Sequence, residues 1–247
     1  MLKIFSKIAG AFNRAKRGKV SAIILCAGSS TRFSDQNESK QMAEVLKKPV
    51  IVRTVEAFEE CEDIFEIVLV VRKEDTEAYQ GLVRERKFRK VSCIVVGGAS
   101  RQISALKGLK HISDKVSFVA VHDGARCLVT PEIISKVIDE ASKHNAATAA
   151  SRVTDTVKIA DKDGFISKTI NRDLVWNVQT PQVFERKLYE SCAYNAKEKG
   201  ISVTDDCMLI ENAGFKVKLV DTGTQNIKIT VKDDIKLAEF ILSQRGE

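Results

Sequence analysis

Short apolar runs alternate with amphipathic segments along most of this chain. Residues 20–25 (VSAIIL) are rich in β-branched side chains, which is typical of a buried parallel strand. The same pattern predicts strands at 64–71, 91–96 and 116–121, and helices at 49–60, 74–89, 100–109 and 131–144. This alternation predicts an α/β protein with a doubly wound, mostly parallel sheet. In such folds the ligand lies at the carboxyl ends of the strands.

The pattern changes after residue 150. Residues 153–159 and 165–170 alternate apolar and polar positions on either side of the turn DKDG, which predicts a β-hairpin. A lone hairpin cannot bury both faces, so we expect it to pack on the sheet edge or on a second subunit, and the second option predicts a homodimer. Later strands at 217–220 and 227–231 and a helix at 233–243 complete the predicted elements.

Charge is concentrated at the start of the chain. The net charge of the 247 residues is +7, and residues 1–19 contain six basic residues and no acidic one. Apolar residues recur there at helical spacing, so the sequence predicts a basic amphipathic extension before a single domain at 20–247. The extension could contact an anionic membrane surface or a partner, or be a frayed appendage. No basic or aromatic stripe continues into the domain, so we expect no nucleic-acid partner.

The rest of the composition is that of a globular protein, 44% hydrophobic and 30% charged. No apolar run is long enough to span a bilayer and the start lacks a signal-peptide pattern, so we expect a cytoplasmic protein. The six cysteines are scattered without metal-binding spacing, which indicates buried free thiols.

The loop at 25–33 (LCAGSSTRF) has the features of a phosphate site. Its small residues expose backbone N–H groups, and Arg32 and Lys40 supply positive charge. The loop matches neither GxxxxGK[ST] nor GxGxxG. An ordinary strand-to-helix turn is the less favoured alternative for this loop taken alone. The residues expected to contact the phosphates are Ala27, Gly28, Ser29 and Ser30.

Several motifs in order resemble one family. They are LCAGSSTRF with KQ (40–41), GGASRQIS (97–104), VHDGAR (121–126), VTDTVK (153–158), INRDLVWNVQTPQ (170–182), TDD (204–206) and NIKIT (226–230). Together they resemble the 2-C-methyl-D-erythritol 4-phosphate cytidylyltransferases over residues 20–243. The resemblance implies a Rossmann-like nucleotidyltransferase of the non-mevalonate isoprenoid pathway, which joins CTP to a sugar-alcohol phosphate and releases pyrophosphate.

The resemblance also implies roles for individual residues. Arg32 and Lys40 match the family's transition-state pair, and Arg172 and Lys228 match the residues that position the acceptor phosphate. The further acceptor contacts that it implies are Arg126, Thr156 and Thr180. In the family the hairpin reaches across a dimer, so an arm at about 152–175 would bring Thr156 and Arg172 to the neighbour's site.

Nucleotide and metal contacts follow in the same way. Gly98, Ser100 and Ser104 fall where the family holds cytosine, although either serine could equally be a helix cap or first-turn residue. Asp123 is implied as a nucleotide contact and a possible ligand of Mg²⁺, which we expect mainly on the phosphates. A phosphate nucleophile is already deprotonated, so we expect His122 to be a packed structural residue and not a general base.

The chain departs from the family pattern at Ser30, Ser39 and Arg152, where glycine, proline and proline are usual. Two alternatives stay open. One is a ribitol 5-phosphate cytidylyltransferase, against which INRDLVW and DTVK weigh. The other is a catalytically silent nucleotide-binding module, which would not need the acceptor-side pair Arg172 and Lys228.

Overall fold

The structure, a computed structural model, describes residues 18–28, 33 and 39–246. Within these residues the strands are β1 (Lys19–Leu25), β2 (Glu44–Val45), β3 (Lys48–Pro49), β4 (Ile64–Val71), β5 (Val91–Val96), β6 (Val116–Asp123), β7 (Ala146–Arg152), β8 (Lys158–Ala160), β9 (Ile166–Thr169), β10 (Trp176–Glu185) and β11 (Lys218–Asp221). The α-helices of the same residues are α1 (Val50–Glu60), α2 (Thr76–Arg86), α3 (Arg101–Leu109), α4 (Pro131–His144), α5 (Arg186–Glu198), α6 (Cys207–Asn212) and α7 (Asp233–Gln244).

Seven strands form the central sheet in the order β11, β7, β10, β6, β1, β4, β5. Strand β10 runs antiparallel to β6 and β7, and the other neighbouring strands pair in parallel. The predicted mostly parallel α/β sheet is therefore confirmed. No helix in the described part of the chain is long and apolar enough to cross a membrane.

Helices cover both faces of this sheet. On β1, Ala22 and Ile24 point into a core that contains side chains of α1, α2 and α4. Their neighbours Ile23 and Leu25 point into a second core, formed with α3, α5 and α6. Successive side chains of a strand point to opposite faces, so the apolar run of β1 serves two cores at once. This arrangement is the doubly wound packing that the alternation of elements predicts.

Most predicted helices and strands lie within a residue or two of their observed bounds. Helix α4 has its predicted bounds and begins after Thr130, whose Oγ1 accepts a hydrogen bond from Ile133 N. The predicted helix at 74–89 is shorter. It is a 3₁₀ turn at Lys73–Asp75 followed by α2, which ends because Lys87 adopts a left-handed conformation with φ 54°.

Strands β7 and β10 are absent from the predicted elements. Strand β7 (AATAASR) is buried along its first six residues, and its small side chains let the flanking helices approach. Alanine has a low strand propensity, which hid this strand. Strand β10 contains Pro181, which normally argues against a central strand, and its register with β7 is broken between Val178 and Gln182.

The predicted strand at 227–231 is wrong. This segment crosses the loop after β6, where Ile229 N donates to Ala125 O at 2.8 Å, instead of joining an edge of the sheet. Ile229 is fully buried in a small core with Leu128 of that loop and Leu242 of α7. The apolar residues of this segment are therefore buried, but they belong to a loop that crosses the carboxyl ends of the strands and not to a strand.

The predicted hairpin is shorter than expected. Strands β8 and β9 pair antiparallel as a separate two-stranded sheet, and the side chain of Asp161 accepts from Asp163 N and Phe165 N in the turn between them. Large apolar side chains of the arm are exposed in the single chain, with Phe165 at 72% and Leu174 at 79%.

All six cysteines are free thiols, as predicted, and all but Cys93 are buried. Burial raises the pKa of the Cys26 thiol to about 12. The backbone of Gly124 approaches this thiol closely, since a Cβ on Gly124 would lie 2.4 Å from the Cys26 sulfur.

Candidate active site

A pocket of about 360 Å³ opens at the carboxyl edge of the sheet. It lies where β1, β5 and β6 end, which is the position expected for a ligand in this class of fold. The structure brings eight of the predicted site residues together in its wall: Ala27, Gly28, Lys40, Gly98, Ser100, Ser104, Asp123 and Lys228.

Asp123, the last residue of β6, lies at the centre of a cluster of cations. Its Oδ2 is 2.8 Å from Lys228 Nζ and 3.8 Å from Arg126 Nε, and its Oδ1 is 3.3 Å from Arg101 Nε. Burial alone would raise the pKa of this carboxyl, but the neighbouring cations outweigh burial and hold its pKa well below the ordinary value. Asp123 is therefore ionised, and the wall of the pocket carries a surplus of positive charge.

Arg126 lies beside this carboxylate in the loop after β6. Its Nη1 donates to Asn226 O at 2.8 Å, which ties the loop to the segment that carries Lys228. Its buried Nε has no hydrogen-bond partner among the described residues. This guanidinium adds positive charge beside the Asp123 carboxylate.

Thr180 and His122 form a chain of hydrogen bonds next to Asp123. Thr180 Oγ1 accepts from Asp123 N at 3.1 Å and lies 3.0 Å from His122 Nδ1. His122 Nε2 lies 3.3 Å from Arg126 O, a carbonyl that can only accept, so Nε2 carries the proton and Nδ1 accepts from Thr180. Burial lowers the pKa of His122 to about 3. The imidazole is thus neutral, buried and bonded on both nitrogens, as expected for a packed structural residue.

Lys40 reaches the pocket from the segment before α1. Its neighbour Gln41 is buried, accepts from Ser39 Oγ at 3.0 Å, and accepts from Ile51 N through its backbone carbonyl. These bonds anchor the backbone next to Lys40. Ser39 stands at a position where the resembled family usually has proline, and here its hydroxyl supplies part of that anchor.

The opposite wall is built from the loop after β5 and the start of α3. Ser100 caps α3, since its Oγ accepts from Ile103 N at 3.1 Å, so the helix-cap alternative holds for this serine. Ser104 Oγ accepts from Gly98 N at 3.0 Å and is buried one turn into the helix. Its hydroxyl proton remains available for a ligand at the pocket wall.

Arg172 and Thr156 lie in the exposed arm and do not line this pocket. Arg172 Nη1 donates to Thr154 O at 2.9 Å, across the base of the arm. Three further predicted residues, Ser29, Ser30 and Arg32, lie outside the described residues, as does the basic extension up to residue 17.

Arg101 is a pocket residue that the sequence analysis did not single out. Besides Asp123 it pairs through Nη1 with the buried Asp206, whose other oxygen accepts from Tyr189 OH at 2.6 Å. Asp206 N donates to Gln182 Oε1 at 3.0 Å. The motifs GGASRQIS, QTPQ and TDD thus meet in one buried network. The signal was present in the sequence, because Arg101 directly follows the helix cap in a motif that already carries glycines of the site.

Comparisons with known proteins agree with this architecture. The family model for 2-C-methyl-D-erythritol 4-phosphate cytidylyltransferase (IspD) matches residues 20–244. A protein of that name from Caldanaerobacter subterraneus subsp. tengcongensis is 43% identical over 224 residues, which cover 90% of this chain and 98% of the relative. One from Alkaliphilus oremlandii is 38% identical over 93% of this chain and 97% of its own length. The crystal structure of 4-diphosphocytidyl-2C-methyl-D-erythritol synthase from Anaerococcus prevotii superposes with a TM-score of 0.83 at 33% identity, covering 94% of this chain and 99% of that one.

Proposed function

Because the chain belongs to the 2-C-methyl-D-erythritol 4-phosphate cytidylyltransferase family, and so is a CTP-dependent nucleotidyltransferase of the non-mevalonate isoprenoid pathway, we propose that its pocket at the carboxyl edge of the sheet is the catalytic site. The observation that carries this proposal is the group of cations around Asp123. Lys40 and Lys228 both line the pocket, and Arg101 and Arg126 flank the carboxylate. Such a site suits two anionic reactants that must be brought together.

In the proposed reaction, an oxygen of the acceptor phosphate attacks the α-phosphorus of CTP in line. A new P–O bond forms, the bond to the β-phosphate breaks, and pyrophosphate leaves with the electron pair. Arg32 and Lys40 stabilise the negative charge that builds up on the α-phosphate. No side chain is required as a base, since the acceptor phosphate is already deprotonated near neutral pH, and the neutral, fully bonded His122 supports this assignment.

Lys228 holds the acceptor in this proposal. Its ammonium lies 2.8 Å from Asp123 Oδ2 at the pocket wall, so an incoming phosphate competes with one partly exposed ion pair. Arg126 Nε lies 3.8 Å from the same carboxylate oxygen, so in this proposal its guanidinium shares in binding that phosphate. Thr180 Oγ1 accepts a hydrogen bond from Asp123 N and so holds the backbone of Asp123 in place, which makes its contribution to acceptor binding indirect.

The cytidine lies along the opposite wall. Ala27, Gly28, Ser29 and Ser30 hold the triphosphate, and Gly98 and Ser104 hold the base. The buried hydroxyl of Ser104 accepts from Gly98 N, which leaves its proton to donate to a pyrimidine acceptor atom.

The residues of the pocket suit Mg²⁺ only if substrate phosphates supply most of its ligands. The pocket offers one carboxylate, Asp123, which already pairs with Lys228, and no group of three or more potential metal ligands occurs among the described residues. Mg²⁺ typically uses one or two carboxylates plus substrate phosphates. Asp123 would be its protein ligand, and the ion would add positive charge at the reacting phosphates.

The arm completes the site in a homodimer. Arg172 and Thr156 do not line the pocket of their own chain, and the arm exposes Phe165, Ile166 and Leu174 to solvent. Several large apolar side chains exposed on one arm are typical of an interaction surface. In the proposed dimer these side chains are covered by the partner, and Arg172 and Thr156 contact the acceptor in the partner's pocket. The free thiols of all six cysteines suit a reducing compartment such as the cytoplasm.

A pyrophosphate-release assay tests the reaction. The purified protein is given CTP and Mg²⁺ with either 2-C-methyl-D-erythritol 4-phosphate or ribitol 5-phosphate. We expect release with the methylerythritol phosphate and at least about a hundredfold lower kcat/KM with ribitol phosphate, because buried polar contacts discriminate strongly between polyols. A preference for ribitol phosphate would overturn the acceptor assignment. No release with either acceptor would overturn the catalytic proposal.

Mixing two inactive variants tests the shared site. Lys228→Ala disables the pocket and Arg172→Ala disables the arm, so each homodimer lacks one group at both sites. After subunit exchange, a mixed dimer has one site with both groups intact, and about a quarter of the wild-type activity should return. If Arg172 served its own chain, mixing would restore nothing, and that result would contradict the shared site.

A further inference from the structure

The peptide group that joins Gly97 and Gly98 is held at both ends by side chains of α3. Gly97 O accepts from Lys107 Nζ at 2.7 Å, and Gly98 N donates to Ser104 Oγ at 3.0 Å. Ser104 and Lys107 are three positions apart and therefore lie on the same face of the helix. One helix face thus fixes the direction in which this single peptide group points.

Close packing requires glycine at both positions. A Cβ on Gly97 would lie 2.4 Å from Ala27 Cβ, and a Cβ on Gly98 would lie 2.2 Å from Ile103 Cγ2. Glycine also has the widest range of backbone conformations, so a Gly–Gly peptide group is the one that turns over most readily. Gly97 N donates to Val71 O at 2.8 Å, which secures the backbone before this peptide group but not the group itself.

We propose that Lys107 is a positioning residue for nucleobase specificity: it fixes the orientation of the 97–98 peptide group and so the hydrogen-bond pattern that this wall offers the base. The inference rests on the proposed function, in which Gly98 and Ser104 hold cytosine. Lys107 acts through the backbone, since it does not line the pocket whereas Gly98 does.

The chemistry of the two pyrimidines explains why orientation matters. At position 4, cytosine presents an amino donor and uracil a carbonyl acceptor. Turning the peptide group over exchanges the places of its C=O and its N–H, and so exchanges acceptor and donor along the wall. The ammonium of Lys107 makes a charge-assisted hydrogen bond, which is stronger than a neutral one and holds the carbonyl away from the alternative orientation.

Lys107→Gln and Lys107→Met test this inference, with Lys110→Gln as a matched control because Lys110 is an exposed lysine at the end of the same helix. We expect KM for CTP to rise by roughly tenfold in the Lys107 variants, the usual effect of losing one hydrogen bond to a charged group. The preference for CTP over UTP should fall by a similar factor, while kcat and the KM for the acceptor stay within about twofold of wild type. Lys107→Arg keeps a charged donor and should restore part of the preference.

Two further measurements distinguish a change in base specificity from a loss of folding and from a loss of catalytic turnover. In ¹H–¹⁵N spectra the amide of Gly98 should shift in Lys107→Gln and not in Lys110→Gln, while the other amide signals show a folded protein. Calorimetric binding of CTP and UTP gives the base preference even if the protein transfers no cytidylyl group, so failure of the proposed function is distinguishable from failure of this inference. An unchanged ratio of CTP to UTP affinity in folded Lys107→Gln would overturn the inference.

Discussion

His122 should make the stability of the protein fall as the pH is lowered from 7 to 5. The side chain is fully buried, with Nδ1 bonded to Thr180 and Nε2 to Arg126 O. Burial lowers its pKa in the folded state to about 3, whereas an unfolded histidine titrates near 6.5. Below pH 6.5 the unfolded chain therefore takes up a proton that the folded protein refuses, and unfolding becomes more favourable.

The size of this effect follows from the two pKa values. Between pH 7 and pH 5 the difference in proton uptake lowers the free energy of unfolding by roughly 2 kcal/mol, and the loss continues to about 4 kcal/mol as the pH approaches 3. Carboxyl groups in the unfolded chain titrate near pH 4, so they contribute little above pH 5. The interval from pH 7 to pH 5 thus reports mainly on the histidines.

Urea unfolding at pH 7, 6 and 5 measures this effect in wild type and in His122→Gln. The variant should be less stable at pH 7, because it loses packing against Phe58, but its stability should change by less than about 0.5 kcal/mol between pH 7 and pH 5. His111 and His144 are exposed, so their replacement by Gln is the matched control and should leave the wild-type loss in place. An equal pH dependence in wild type and His122→Gln would refute the reasoning, as would an NMR titration of His122 near pH 6.5 in the folded protein.

Two further predictions concern the cluster of charges. Lys40→Ala should lower kcat by at least about a hundredfold with little change in KM for CTP, because in the proposed mechanism Lys40 contacts the α-phosphate mainly in the transition state. The exposed Lys115→Ala is the control, and steady-state turnover near wild type in Lys40→Ala would remove Lys40 from the mechanism. Asp206→Ala should lower the free energy of unfolding by about 3 kcal/mol, since it leaves Arg101 without its buried partner. Tyr189→Phe removes only one hydrogen bond and should lower the free energy of unfolding by about 1–2 kcal/mol. Urea unfolding measures both losses, and equal losses would contradict this order.

The strands that the sequence predicts best are those buried on both faces. Residues 118–121 (FVAV) form a continuous apolar run, because in a doubly wound sheet both faces of a central strand meet helices. Strand β7 is buried in the same way but is built of alanines, so its sequence carries no strand signal of its own. Its position depends on its two neighbours, β10 and β11, and on the helices packed over it. That is tertiary information, which a local pattern does not contain.

The motif GGASRQIS draws attention to Arg101, but the same limit hides which carboxylates Arg101 contacts. The sequence identifies Asp123 from a local pattern, since it ends an apolar strand and is followed by glycine. The cations that contact it come from three separate loops and helices: Arg101 starts α3, Arg126 follows β6, and Lys228 lies beyond β11. No spacing relates them, because only the order of strands in the sheet brings these segments to one edge.

Their convergence also explains why the carboxylate itself is buried. Three cations at one sheet edge repel one another, and a carboxylate among them lowers that repulsion while its own desolvation is offset by their charge. Arg101 also pairs with the buried Asp206, so the fold fixes its contact with Asp123. Lys228 is partly exposed, and of the two carboxylates Asp123 and Asp206 it pairs only with Asp123. The cluster therefore has a fixed side at Arg101 and an exchangeable side at Lys228, and in the proposed reaction the acceptor phosphate binds at the exchangeable side.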